Sequence, residues 1–236
     1  MILLSILFTF TSLTLDAIQQ EVSQLSTYSE LTSFIEKKID DQNRYDNTVY
    51  IDILREIGHG YQQARLVFKT EEHGQYFHMS VVKHGNQLIY ATLSQDKKER
   101  KIVFDEAGID KYVAYFNNTF GTNKKASDFA KEIDSVWIFS SACGYSGEPT
   151  KEWKQMEKSV DNQKLNKVRS LLNTMDVEAQ VYGFIGMTRL QQQGVQLTSQ
   201  DLKSIAHLKA QNSLIYTCMG CFMGEIMTVK ELTKSK

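Results

Sequence analysis

Proline is almost missing: Pro149 stands alone in 236 residues. That excludes proline-rich linkers and polyproline segments. No extended Ser/Gly tract or long run of like charge breaks the chain, so composition marks no linker. Net charge is missing too. There are 27 bases against 28 acids and no basic stripe, so nucleic acid is not an expected partner. Walker A and Rossmann glycine patterns and an HExxH motif are absent. Asp40, Asp41, Asn43 and Asp46 lack the loop glycine and terminal Glu of an EF-hand and read as a solvated turn. No cofactor and no metal are expected. Hydrophobic content of 42% supports a real core and excludes disorder.

Charge is missing most completely at the start. Residues 1–15 are apolar apart from hydroxyl side chains, and Asp16 is the first charged residue. A secretory signal has an apolar core and a small residue before the cut, and Ala17 supplies the latter. The segment departs from the pattern in having no Lys or Arg before the core and in placing Leu15 close to the cut. It is short of the roughly 20 apolar residues of a membrane span. Residues 1–17 are therefore expected to be a signal peptide, and the mature chain to start near Ile18. Export to a periplasmic or extracellular site follows, with no stable membrane span after processing. Without Asp16 the formal balance is 27 bases to 27 acids.

Periodicity divides the remainder into an α+β sheet domain, 18–125, and a helical C-terminal domain, 126–236. Residues 18–42 read as helix, with a fresh start at the capping box Thr27-x-x-Glu30. Residues 49–57 fit either period. From Tyr61 the period becomes two. Strands are expected at 61–69, 76–83, 87–94 and 101–105, with Phe77, Met79 and Val81 on one face. Gly85-Asn86 is the hairpin signal between two of them, because glycine accepts the positive φ of a II′ turn. The fold expected is a helix-flanked antiparallel meander with one face packed on a helix.

Ile109, Tyr112, Val113, Phe116 and Phe120 return to helical spacing before Gly121. Residues 128–139 read as helix or as helix followed by strand. After the turn cluster 143–149, helices are expected up to Leu214. Asp176 caps one of them, and Gly183 and Gly186 lie inside it. Each glycine costs about 1 kcal/mol against alanine, so close approach of a neighbouring backbone is the expected reason. Thr198-x-x-Asp201 starts another helix, with Leu202, Ile205 and Leu208 facing inward.

Residues 165–193 resemble the paired helices of a HEAT-type repeat, with an acidic corner at Asp176 and Glu178. A solenoid needs about three such units, so an isolated HEAT-like hairpin is expected. The wider pattern is Ile133-Asp134-x-x-Trp137, Cys143-Gly144, the hairpin, then Tyr216-x-Cys218-x-x-Cys221. It resembles a loose group of small, exported, uncharacterised bacterial proteins. The resemblance implies export and carries no known activity and no catalytic residue.

Cys143, Cys218 and Cys221 carry the sharpest chemistry. An oxidising compartment should pair two of the three. The bond is either Cys218–Cys221 or one of these to Cys143. Cys218-Met219-Gly220-Cys221 also suits a thiol–disulfide oxidoreductase, but too little chain follows to complete a thioredoxin-type fold. Gly144-Tyr145-Ser146-Gly147 misses the GxSxG elbow by one residue, and Ser80-x-x-Lys83 falls on a strand. His59, His73, His78, His84 and His207 form no close set in sequence. The reading is an exported, non-enzymatic binding or structural protein, its partner an unknown protein or envelope component. The alternative is a thiol-redox or hydrolytic enzyme of the cell envelope.

Overall fold

The computed structural model describes residues 14–40, 49–70, 75–136, 138–211, 213–220 and 222–234. Most of the expected signal segment, His73, Trp137 and Cys221 lie outside them. Helices α1 (Leu15–Val22) and α2 (Tyr28–Asp40) lead into an antiparallel meander. Its strands are β1 (Val49–Gly58), β2 (Tyr61–Thr70), β3 (Gln75–His84), β4 (Gln87–Gln95) and β5 (Lys98–Val103), in that spatial order. The run that fitted both periods is thus edge strand β1. The α+β class is the one the periodicity gives.

Local chemistry sets these elements. Thr14 accepts from the Ala17 N–H at the start of α1. The Thr27–Glu30 capping box is reciprocal: the Glu30 carboxylate accepts from Thr27 N at 3.0 Å, and Thr27 Oγ1 accepts from Glu30 N at 3.2 Å. Gly85 takes φ 60°. Asn86 ties the turn to α2, accepting from Tyr28 N through its carbonyl at 2.8 Å and from Ser29 N through Oδ1 at 3.2 Å.

The meander is covered on both faces. Leu66, Phe68, Phe77, Met79, Val81 and Leu93 pack beneath Leu15, Ile18, Val22, Leu31 and Ile35 of α1 and α2. A cut after Ala17 would fall inside α1 and remove Leu15 from this cluster. On the other face, Ile57, Tyr61, Val82 and Tyr90 join a second cluster that reaches as far as Val229. This core runs without a seam across residue 125.

The remaining elements are α3 (Glu106–Phe120), α4 (Ala126–Glu132), β6 (Phe139–Cys143), α5 (Lys151–Asp161), α6 (Leu165–Leu172), α7 (Val177–Gln192), α8 (Ser199–Gln211), β7 (Leu214–Gly220), β8 (Phe222–Thr228) and α9 (Val229–Lys234). β6 pairs parallel with β7, and β7 pairs antiparallel with β8. The C-terminal half is therefore mostly helical but contains a small mixed sheet, which the sequence did not assemble. Leu202 is 46% exposed, contrary to the inward position expected of it. Asp201 takes the inward place instead, because Arg169 neutralises it with two bonds of 2.7 and 2.9 Å. Among the described residues no helix is long and apolar enough to cross a membrane.

Candidate functional site

Parallel pairing of β6 with β7 decides the disulfide. It brings Cys143 beside the end of β7, and the bond is Cys143–Cys218, with the two Cα atoms 5.3 Å apart. Of the pairings left open by the sequence, this is one of the two long-range ones. Cys218 is only 1% exposed. The adjoining turn is open to solvent, and Tyr145 is fully exposed there.

Gly183 and Gly186 lie where α7 meets α6 in an antiparallel hairpin. A Cβ on Gly183 would sit 2.1 Å from Leu172 N, and one on Gly186 would sit 2.6 Å from Val168 Cγ1. Both glycines thus mark close helix approach, and Gly183 faces backbone.

The approach seats the first turn of α7 against the meander. There Arg55, Gln63, Arg65, Ser80 and Thr92, from four strands, meet Asp134, Asp176 and Glu178. Glu178 accepts two bonds from Arg55, at 2.6 and 2.9 Å, and two from Arg65, at 3.2 and 3.3 Å. Tyr216 N donates to it as well, at 3.1 Å. Asp134 accepts from Gln63, Ser80 and Thr92 at 2.6, 2.8 and 3.2 Å. Asp176 caps α7 by accepting from Ala179 N at 2.8 Å, and it also accepts from Val136 N at 3.0 Å. The side chains of Arg55, Arg65, Asp176 and Glu178 are fully buried.

Two guanidinium charges face three carboxyl groups. Burial opposes the Glu178 charge, but Arg55 and Arg65 outweigh it and hold the group below its ordinary range. Asp176 goes the other way: burial, reinforced by the charge of Glu178, pushes it up to about 8. The cluster therefore sets a carboxylate, Glu178, beside a neighbour, Asp176, that burial drives towards its protonated form. Its groups are engaged with one another and sealed from solvent, an arrangement that fixes the two halves of the fold together.

A second set of side chains, open to solvent, gathers nearby at the β1–β2 turn end of the sheet. The β1–β2 connection is His59-Gly60, with φ 55° and 75°, the backbone of a type I′ turn. Asn-Gly is the usual choice there. A histidine in left-handed backbone is uncommon and often marks function. Gly58 precedes it because a Cβ there would sit 2.4 Å from the Tyr115 hydroxyl. The His59 and Tyr115 rings stack at 5.1 Å with 13° between planes. Tyr61 and His84 are cross-strand partners, their rings 4.6 Å apart. Tyr115 Oη and His207 Nε2 lie 2.9 Å apart and share a hydrogen bond.

The result is an alternating row, His84–Tyr61–His59–Tyr115–His207, joining the sheet to α3 and α8. All of the row but His207 lines a cleft of about 470 Å³. From α3, the stripe Gly108, Lys111, Tyr115 and Asn118 faces the cleft at helical spacing. Asp105 closes one side, accepting from Gly108 N at 3.0 Å as the α3 cap and from Gln87 Nε2 at 3.2 Å. Burial pushes Tyr61 upward, and the charge of Asp105 adds to the shift. Burial also raises Tyr115 and lowers His207, so the phenols and that imidazole are neutral at neutral pH. Among the described residues no three His, Cys, Asp or Glu side chains come together as a metal would require.

Neither arrangement was assembled from the sequence. The signals that bear on the cleft are the glycines flanking His59 and the 108-111-115-118 spacing on α3. Comparison with known families, curated proteins and solved structures finds no match to the chain.

Proposed function

We propose that the chain is an exported, non-enzymatic binding protein that receives its ligand in the cleft between the β1–β2 turn and α3. One observation carries the reading: a strained histidine turn aligns alternating imidazole and phenol rings beside a rim of hydrogen-bonding side chains. Such convergence of aromatic surface with a few polar groups is the usual make-up of a recognition site. The charge-free start of the sequence and the Cys143–Cys218 bond support an oxidising compartment. Burial of Cys218 speaks against the thiol-redox alternative, since exchange needs an accessible sulfur.

Two measurements test this. Mass spectrometry of native protein should find one free thiol, a Cys143–Cys218 bond and an N-terminus from which the apolar start has been removed. Three free thiols on an intact chain would refute export. In an insulin-reduction assay the protein should be inactive. Reduction that disappears in Cys218→Ser would establish the redox alternative instead.

A further inference from the structure

Building on the binding cleft just proposed, we infer that its ligand is a neutral carbohydrate chain. The reasoning starts from what the cleft would penalise. Asp105 faces it from the cap of α3, and Lys111 faces it nearly two helical turns further on. Opposite charges on one rim favour neither a polyanion nor a polycation. An apolar ligand would strip water from Asp105, Gln87, Asn118 and Lys111 and return no hydrogen bond, which is costly for each buried polar group.

A hydroxyl-rich ring meets both demands. Its C–H face packs on an aromatic face, and its hydroxyl groups donate to carboxylate or amide oxygen and accept from amide or ammonium N–H. The Asp105 oxygens each accept one bond already, from Gly108 N and from Gln87, and a carboxylate has room for about four. His59 and His84 are exposed on either side of buried Tyr61, and Tyr115 is half-buried beyond His59. The accessible rings therefore form a row rather than one closed slot, which suits several linked sugar rings better than a single one. The cleft is open and partly polar, so a ligand there keeps some of its water.

The test is a titration of the full chain with maltohexaose, cellohexaose and N-acetylchitohexaose, followed by amide chemical shifts and calorimetry. Adenosine monophosphate and a galacturonate oligomer serve as aromatic and anionic probes. At least one neutral oligosaccharide should bind with a Kd of about 1 mM or tighter. It should shift the amides of residues 59–61, 84–87 and 111–118. Lys111 and Asn118 are exposed, so Lys111→Ala/Asn118→Ala should keep the fold while weakening binding by about tenfold, or about 1.4 kcal/mol. Failure of all three sugars to shift these amides overturns the inference, as does sugar binding that maps elsewhere. If the nucleotide or the galacturonate shifts them instead, the ligand class is wrong and the binding cleft stands. If no probe does, both fall.

Discussion

The two faces of the meander are held by different physics. Beneath α1 and α2 the buried contacts are mainly apolar; Lys83 sits near the rim with its ammonium 5.0 Å from the Tyr28 ring centre, and Arg100 meets Asp16 at the exposed edge at 2.9 Å. Beneath the C-terminal half, the middle of the sheet presents Arg55, Gln63, Arg65 and Ser80, all buried. An apolar face asks for volume and shape, and many side chains satisfy it. A buried ion cluster asks for particular partners at particular places, because a charge left without its partner is far more costly than a small void. The first face can be covered by almost any apolar helix. The second accepts one docking of the C-terminal half.

Equal-sized substitutions on the two faces expose the difference. Glu178→Gln keeps the shape but leaves Arg55 and Arg65 short of a charge, and should cost about 3–5 kcal/mol in denaturant unfolding. Met79→Leu, buried on the apolar face, should cost less than about 1.5 kcal/mol. Similar losses for both would erase the distinction. Next in size is Gly183→Leu, which pushes α7 off the Leu172 backbone and carries Glu178 away from the arginines. A loss of about 3 kcal/mol is expected despite better helix propensity. A gain would mean that the helices separate freely.

A pH series sharpens the comparison, because the ion cluster titrates and the apolar face does not. Asp176 is raised from 3.8 to about 8 by burial and by Glu178. The folded state therefore binds a proton that the unfolded state has released. Its contribution is full below the unfolded value and is lost as pH rises through about 8, with a slope of at most about 1.4 kcal/mol per pH unit. Glu178, held below its ordinary range, acts oppositely and loses its contribution in acid. Thermal unfolding should therefore show stability falling between about pH 4 and pH 8 and levelling off above, a limb that flattens in Asp176→Asn. An unchanged limb would place the proton elsewhere. The smallest effect belongs to the β3–β4 turn. Gly85→Val has open space around it but must hold φ 60°, so about 1–2 kcal/mol should be lost through backbone strain alone. An unaltered midpoint would show the turn relaxing.

Local rules made the apolar face legible. Phe77, Met79 and Val81 alternate, Gly85 turns the chain, and Gly183 and Gly186 stand out in an otherwise good helix. The same alternation hid the other face. Gln63 and Arg65 occupy the positions that an antiparallel strand normally gives to solvent. The acids that neutralise the arginines come from far away, Glu178 being 123 residues from Arg55 and 113 from Arg65. No periodicity spans that distance. The cysteines left the choice open: two residues separate Cys218 from Cys221, whereas Cys143 arrives only by strand pairing. His59 and His84 formed no close set in the sequence because their stacking on tyrosines depends on a cross-strand register and on a helix after the sheet.

The Cys143–Cys218 bond spans a sequence separation of 75 residues, and α5, α6, α7 and α8 all lie inside the span. About a third of the chain is in effect a covalent ring, closed at the strands and laced with helices. A protease nick at the exposed α5–α6 joint, where Gln163 takes φ 48°, would open the ring without releasing a fragment. Cut protein should keep its intact mass, apart from one water of hydrolysis, and run as a single species until reductant is added. Reduction would then release two pieces.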